Sequence, residues 1–256
     1  MSIPDHHVTV GNDIVDLALS RTQEKHRDAR FLQRVFTQEE GGAIVNASFP
    51  DRMLWALWAA KESAFKAYQK VDSSLVFAHR KFAVSAETLS ALLQCDFSVA
   101  GACVSGVLCY QEQHFSLRWE WSQEYVHAVA VFGATSDRPL YHRIDDLTSL
   151  GPEAAGQEEA AFSEQERAEI YGRPSESVRW QAKQLLAEVV NNVEGAGGGR
   201  PGPVEFVLLR PIVTMRGQER KGPVVIYRAG QPLAEYDISL SHDGDWVASV
   251  LLEGAR

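Results

Sequence analysis

The chain has 256 residues, 45% of them apolar, enough to bury one large core or two smaller ones. Its formal net charge of -9 excludes a bulk electrostatic attraction to nucleic acid or to an anionic membrane, though not a local basic patch. Cys95, Cys103 and Cys109 are odd in number and lack zinc-type spacing; with no leader-like N-terminus and no run long enough to span a bilayer, a reduced, cytoplasmic protein is expected.

Taken in order, Val8 to Leu17 reads as a short strand rich in β-branched residues, with Asp13 and Val15 on one face and Ile14 and Asp16 on the other. On local pattern alone Asp13 could be a solvated or turn-forming aspartate. Arg21 to Arg34 reads as a charged helical segment with Arg27, Arg30 and Arg34 on one face, by default a solvated one. Thr37 with Glu40 three residues on is a capping box that starts another helix. Trp55 to Tyr68 follows, free of Gly and Pro and helical in its spacing. It is too apolar for a surface helix, yet it holds Lys61, Glu62 and Lys66. Glu62 and Lys66 stack one turn apart beside Trp55, Trp58 and Ala59, with Lys61 about a quarter turn away. A carboxylate and an ammonium on such a stripe must be paired, bound to a metal or facing a cleft, and the simplest case is an i,i+4 ion pair. Leu75 to Ser85 and Cys103 to Phe132 read as successive strands.

Gly133 to Ala160 is rich in Gly, Pro and acidic residues, with little periodicity, and reads as a connection. The chain then starts again. Phe162-Ser163-Glu164-Gln165-Glu166 echoes Phe36-Thr37-Gln38-Glu39-Glu40; Trp180-Gln181-Ala182-Lys183 echoes Trp58-Ala59-Ala60-Lys61; and Trp246 to Val250 echoes Tyr125 to Val129. Three anchors in one order at nearly constant offset predict two copies of one α+β unit. Each would be a small antiparallel sheet packed with a long helix, the two forming an internal pseudo-dimer. The expected division is an N-terminal lobe 1–135, a linker 136–160 and a C-terminal lobe 161–256. The halves differ where chemistry is at stake. Gln184 replaces Glu62, the second half shows no Gly-x-Asp strand, and His242 stands where the first half has Trp121. A lone His at a strand end is usually structural. Here each half lacks what the other keeps, the pattern of one composite site.

Gly11-Asn12-Asp13, Trp58-x-x-Lys61-Glu62-Ser63-x-x-Lys66 and Ser241-His242 together resemble the signature motifs of the 4′-phosphopantetheinyl transferases. The first half is similar to the small holo-acyl-carrier-protein synthases, whose opening Gly11 to Asp16 and Arg30 to Thr37 resemble. The length and duplication are similar to the surfactin-type transferases, with the Ser-His motif last rather than first.

The resemblance implies a Mg²⁺-dependent transferase. It would move the 4′-phosphopantetheine arm of coenzyme A to a serine of an acidic acyl or peptidyl carrier protein and release 3′,5′-ADP. Phosphoryl transfer is catalysed mostly by positioning and charge neutralisation, which suits oxygen ligands and a cationic partner. By resemblance Asp13 and Glu62 are the metal ligands, Glu62 or a metal-bound water is the base, and Lys66 holds a phosphate oxygen. Ser241, His242, Lys61, Arg173 and Arg179 are the expected coenzyme contacts, and Arg27, Arg30 and Arg34 the carrier-docking face. Val15 stands where surfactin-type enzymes commonly place a further acid. A monomer is expected, and the alternative is a non-catalytic module that binds coenzyme A or a carrier protein.

Overall fold

Strand β4 (Gln113–Trp121) alternates along its length, burying Phe115, Leu117, Trp119 and Trp121 and turning the residues between them outward. With β1 (Thr9–Asp16), β2 (Phe82–Val84), β3 (Cys103–Tyr110) and β5 (Tyr125–Phe132) it makes a sheet of order β1-β5-β4-β3-β2. The computed structural model describes residues 8–101, 103–133, 138–149, 161–194, 200–215 and 218–254. The chain divides into two units, Met1–Thr135 and Ser136–Arg256.

In the first unit, helix α3 (Pro50–Gln69) covers the apolar face of this sheet, opening on a proline in its first turn, where the missing N–H costs nothing. Its buried small residues let the strands come close. Trp119 Nε1 donates to the Ala56 carbonyl at 2.9 Å, and Ser63 Oγ to the Ala128 carbonyl at 2.9 Å. Helices α1 (Ala29–Val35), α2 (Gln38–Asn46) and α4 (Ala86–Leu93) complete the unit.

Two segments differ from the sequence reading. Arg21 to Arg34 is not one helix. Short 3-10 turns at Ser20–Thr22 and Lys25–Arg27 precede α1, and Glu24 between them has φ 53°. Asp51, at the start of α3, accepts from Glu24 N at 2.7 Å and His26 N at 3.0 Å, and Asp28 caps α1 through Phe31 N at 3.0 Å. These side-chain carboxylates compete for backbone N–H groups that a continuous helix would use. Residues 75–81 form no strand, and a 3-10 turn at His79–Lys81 leads into β2.

The second unit contains α5 (Glu164–Arg167), the long α6 (Arg173–Glu194) and three antiparallel sheets. One, of order β12-β13-β6, joins β12 (Tyr236–Asp243), β13 (Trp246–Glu253) and β6 (Leu140–Asp146). The second, β11-β10-β7, joins β11 (Gln231–Pro232), β10 (Val225–Arg228) and β7 (Phe206–Leu209). The third pairs β8 (Ile212–Met215) with β9 (Gln218–Lys221).

Strand β6 falls inside the stretch read as a linker, whose residues 150–160 lie outside the described residues. Its side chains are half-buried or exposed without alternation, so no period-2 signal marks it. It is the second unit's counterpart of β1. Leu17 N donates to the Glu124 carbonyl at 2.7 Å, and Leu147 N to the Asp245 carbonyl at 2.7 Å. Ala18 N bonds Asp16 Oδ1 at 2.8 Å, and Thr148 N bonds Asp146 Oδ1 at 2.8 Å.

The capping boxes repeat as well. Thr37–Glu40 and Ser163–Glu166 each close one, at the start of α2 and of α5. Both units thus mix antiparallel strands with a long helix, built to one plan. Among the described residues no helix is long and apolar enough to cross a membrane.

Candidate active site

The site is set by how closely β1 lies on α3. A Cβ at Gly11 would fall 2.0 Å from Ser63 O and 2.7 Å from Ala67 N, so only glycine permits the approach. The contact is pinned along its length. Thr9 Oγ1 donates to Ala67 O at 2.9 Å, Lys70 Nζ to Val10 O at 2.7 Å, and Lys66 Nζ to Asn12 O at 2.9 Å. Asp13 lies two residues beyond Gly11 on the same strand face, which brings its Oδ1 to 2.7 Å from Lys66 Nζ.

Glu62 stands one turn before Lys66. Burial, then the neighbouring Asp13 charge, pushes its carboxyl up to about 7, against the pull of Lys66. Two carboxylates and one ammonium therefore share a half-buried corner between a strand and a helix.

The donor set suits a hard divalent cation. Among the described residues no group of three or more His, Cys, Asp and Glu is placed to hold a metal. A cation here would have Asp13 and Glu62 and would complete its shell with water or substrate oxygens. Mg²⁺ is commonly held in this way, by one or two carboxylates plus phosphate.

Lys61 has a different place from the one expected. It is fully buried, with Nζ 2.7 Å from Glu40 Oε2, 3.2 Å from the His79 carbonyl, and also bonded to the Phe82 carbonyl. Burial lowers its pKa, and Glu40 opposes the shift. All three ammonium protons are used inside the unit, so Lys61 is a strut and not a phosphate contact. Glu40 Oε1 further accepts from Val84 N at 2.9 Å, which joins α2, α3 and β2.

The second unit repeats the strut. Lys183 Nζ is 2.9 Å from Glu166 Oε2 and 2.7 Å from the Ala161 carbonyl, and Glu166 Oε1 accepts from Leu208 N at 2.9 Å.

Arg179 also falls outside the expected role. It is 4% exposed, donating to Leu208 O at 2.7 Å and Glu169 Oε2 at 2.8 Å. Its guanidinium is engaged within the core. Arg173 is exposed at the start of α6, with Nη2 3.0 Å from the Leu147 carbonyl.

Ser241 and His242 are neighbours on β12, Ser241 buried and His242 exposed. His242 pairs with Val247 as Trp121 pairs with Val126, each 121 residues apart (242 − 121 and 247 − 126), which makes them equivalent in the repeat. Of the basic face, Arg27 is tied to Glu24 at 2.8 Å, while Arg30 and Arg34 are exposed. The structure brings Asp13, Glu62 and Lys66 together in the first unit; Ser241 and His242 lie in the second.

Residues 9–130 match the family model of the 4′-phosphopantetheinyl transferase superfamily, a span that holds Gly11, Asp13, Glu62 and Lys66. The match covers a little under half of the chain and lies within the first unit; that superfamily transfers phosphopantetheine to carrier proteins. No curated protein matches the chain.

Proposed function

We propose that the chain transfers the 4′-phosphopantetheine arm of coenzyme A to a serine hydroxyl of an apo acyl or peptidyl carrier protein, with Mg²⁺, releasing 3′,5′-ADP. The observation that carries this reading is the Asp13–Glu62–Lys66 cluster inside the span that matches the transferase superfamily. Mg²⁺ bound by Asp13 and Glu62 would neutralise pyrophosphate charge.

In this reading the serine oxygen forms a bond to the phosphorus that carries the pantetheine arm, and the bond from that phosphorus to the 3′,5′-ADP oxygen breaks. Glu62, or a water on the ion, would take the serine proton. Lys66, held by Asn12 O and Asp13, places a fixed positive charge by the departing phosphate oxygen.

Ser241, His242 and Arg173 are assigned to coenzyme binding, and the exposed Arg30 and Arg34 to docking an acidic carrier. The duplication supplies in one chain what a single-unit enzyme obtains by self-association, so the chain acts as a monomer. The test is to incubate the protein with coenzyme A, Mg²⁺ and a panel of apo carrier proteins, and weigh the carriers by mass spectrometry. One added pantetheine arm is expected on at least one of them; unmodified carriers throughout would leave the binding-module alternative.

A further inference from the structure

The strand register aligns the two repeats residue by residue. Asp13 pairs with Ala128 on β5, and Arg143 pairs with Ser249 on β13, the counterpart of Ala128 (249 − 128 = 121). On the long helices the struts Lys61 and Lys183 set an offset of 122, which takes Glu62 to Gln184 and Lys66 to Glu188. Asp13, Glu62 and Lys66 of the first unit are therefore Arg143, Gln184 and Glu188 in the second.

The strand-to-helix ion pair survives with its sign reversed. Lys66 Nζ lies 2.7 Å from Asp13 Oδ1, and Arg143 Nη1 lies 3.5 Å from Glu188 Oε1. Arg143 Nε is also 3.2 Å from Asp145 Oδ2, a carboxylate at the position where the first unit has Val15. One guanidinium thus stands between two carboxylates.

We propose that Arg143 is a built-in cation filling the second unit's counterpart of the metal centre, so that a divalent ion is held by the first unit alone. The inference rests on the reading of Asp13 and Glu62 as metal ligands. The physical grounds are local. Gln184 brings no charge where Glu62 brings a carboxylate, and on the strand Arg143 puts a guanidinium that cannot deprotonate where Asp13 puts a carboxylate, lying against Asp145 and Glu188. The group is partly exposed, with side-chain accessibilities of 38% for Arg143 and 63% for Glu188, so its contribution to stability is small and its effect is occupancy.

The test is a Mn²⁺ titration of the full chain, followed by the electron paramagnetic resonance signal of free Mn²⁺. Wild type is expected to take up one ion. Arg143→Gln releases Asp145 and Glu188 and should take up one ion more, at a site at least tenfold weaker; adding Glu188→Gln to that variant should remove the gain. Arg143→Lys keeps the charge and should titrate like wild type, a control for folding effects. Two ions in wild type, or no gain in a folded Arg143→Gln, would overturn the inference. The first unit is tested in the same titration: its ion should be lost in Asp13→Asn. If that variant keeps the ion, the metal assignment fails, while the gain in Arg143→Gln still reports on the second unit.

Discussion

Replacing Glu62 by glutamine should stabilise the metal-free protein at neutral and alkaline pH while leaving it nearly unchanged in acid. The Glu62 carboxyl is raised from 4.5 to about 7, first by burial and then by Asp13, so the folded chain holds this proton more tightly than the unfolded chain does. The sign follows from linkage. Stability from the protonated form is present in full below the unfolded value and is lost as pH rises through the folded one. Over that interval the loss is at most about 3 kcal/mol, at 1.36 kcal/mol per pKa unit. Glutamine cannot ionise and escapes it. Denaturant melts of both proteins in EDTA, from about pH 4 to about pH 8, should show a gap that opens between the two values and then levels off. Saturating Mg²⁺ should close the gap by stabilising wild type, because an ion that binds only the folded state adds stability by mass action. A gap independent of pH, or a glutamine variant less stable at about pH 8, would refute the account of how Glu62 is buried.

Gly11→Ala should lose more than about 3 kcal/mol in thermal melts, because its Cβ would sit 2.0 Å from Ser63 O; a near-native melt would contradict the close approach. Lys61→Met should cost about 3–5 kcal/mol by leaving Glu40 charged and buried, and Glu40→Gln in the same chain should recover most of it. The coenzyme A KM of the folded Lys61 variant should match wild type, and a large rise would restore Lys61 as a phosphate contact. Arg30→Glu with Arg34→Glu should raise the KM for carrier protein at least tenfold while leaving that for coenzyme A near wild type; equal effects on both would remove the docking face.

Much of the first unit's site was readable in the sequence because its signals are local. Glu62 and Lys66 sit one helical turn apart, and Thr37 with Glu40 spells a capping box. The duplication was readable from its aromatic and lysine anchors. Lys61 and Arg179 were misread for one reason: nothing in a sequence separates a lysine or arginine that reaches solvent from one whose donors are all taken inside. Lys61 is settled by Glu40 and the carbonyls of His79 and Phe82, partners about 20 residues away, and Arg179 by Glu169 and Leu208. Strand β6 escaped because its side chains are half-buried or exposed with no alternation between faces, and with it went Arg143, whose equivalence to Asp13 is visible only in strand register.

In the proposed reaction Glu62 belongs to the chemistry and Lys61 to the frame. The most direct measurement is single-turnover transfer from coenzyme A to an accepted apo carrier, followed by mass, with wild type, Glu62→Ala and Lys61→Met matched for folded concentration. Glu62→Ala, though folded, should add no pantetheine arm, and Lys61→Met should transfer at a rate within a few-fold of wild type. Full transfer by Glu62→Ala would contradict this assignment.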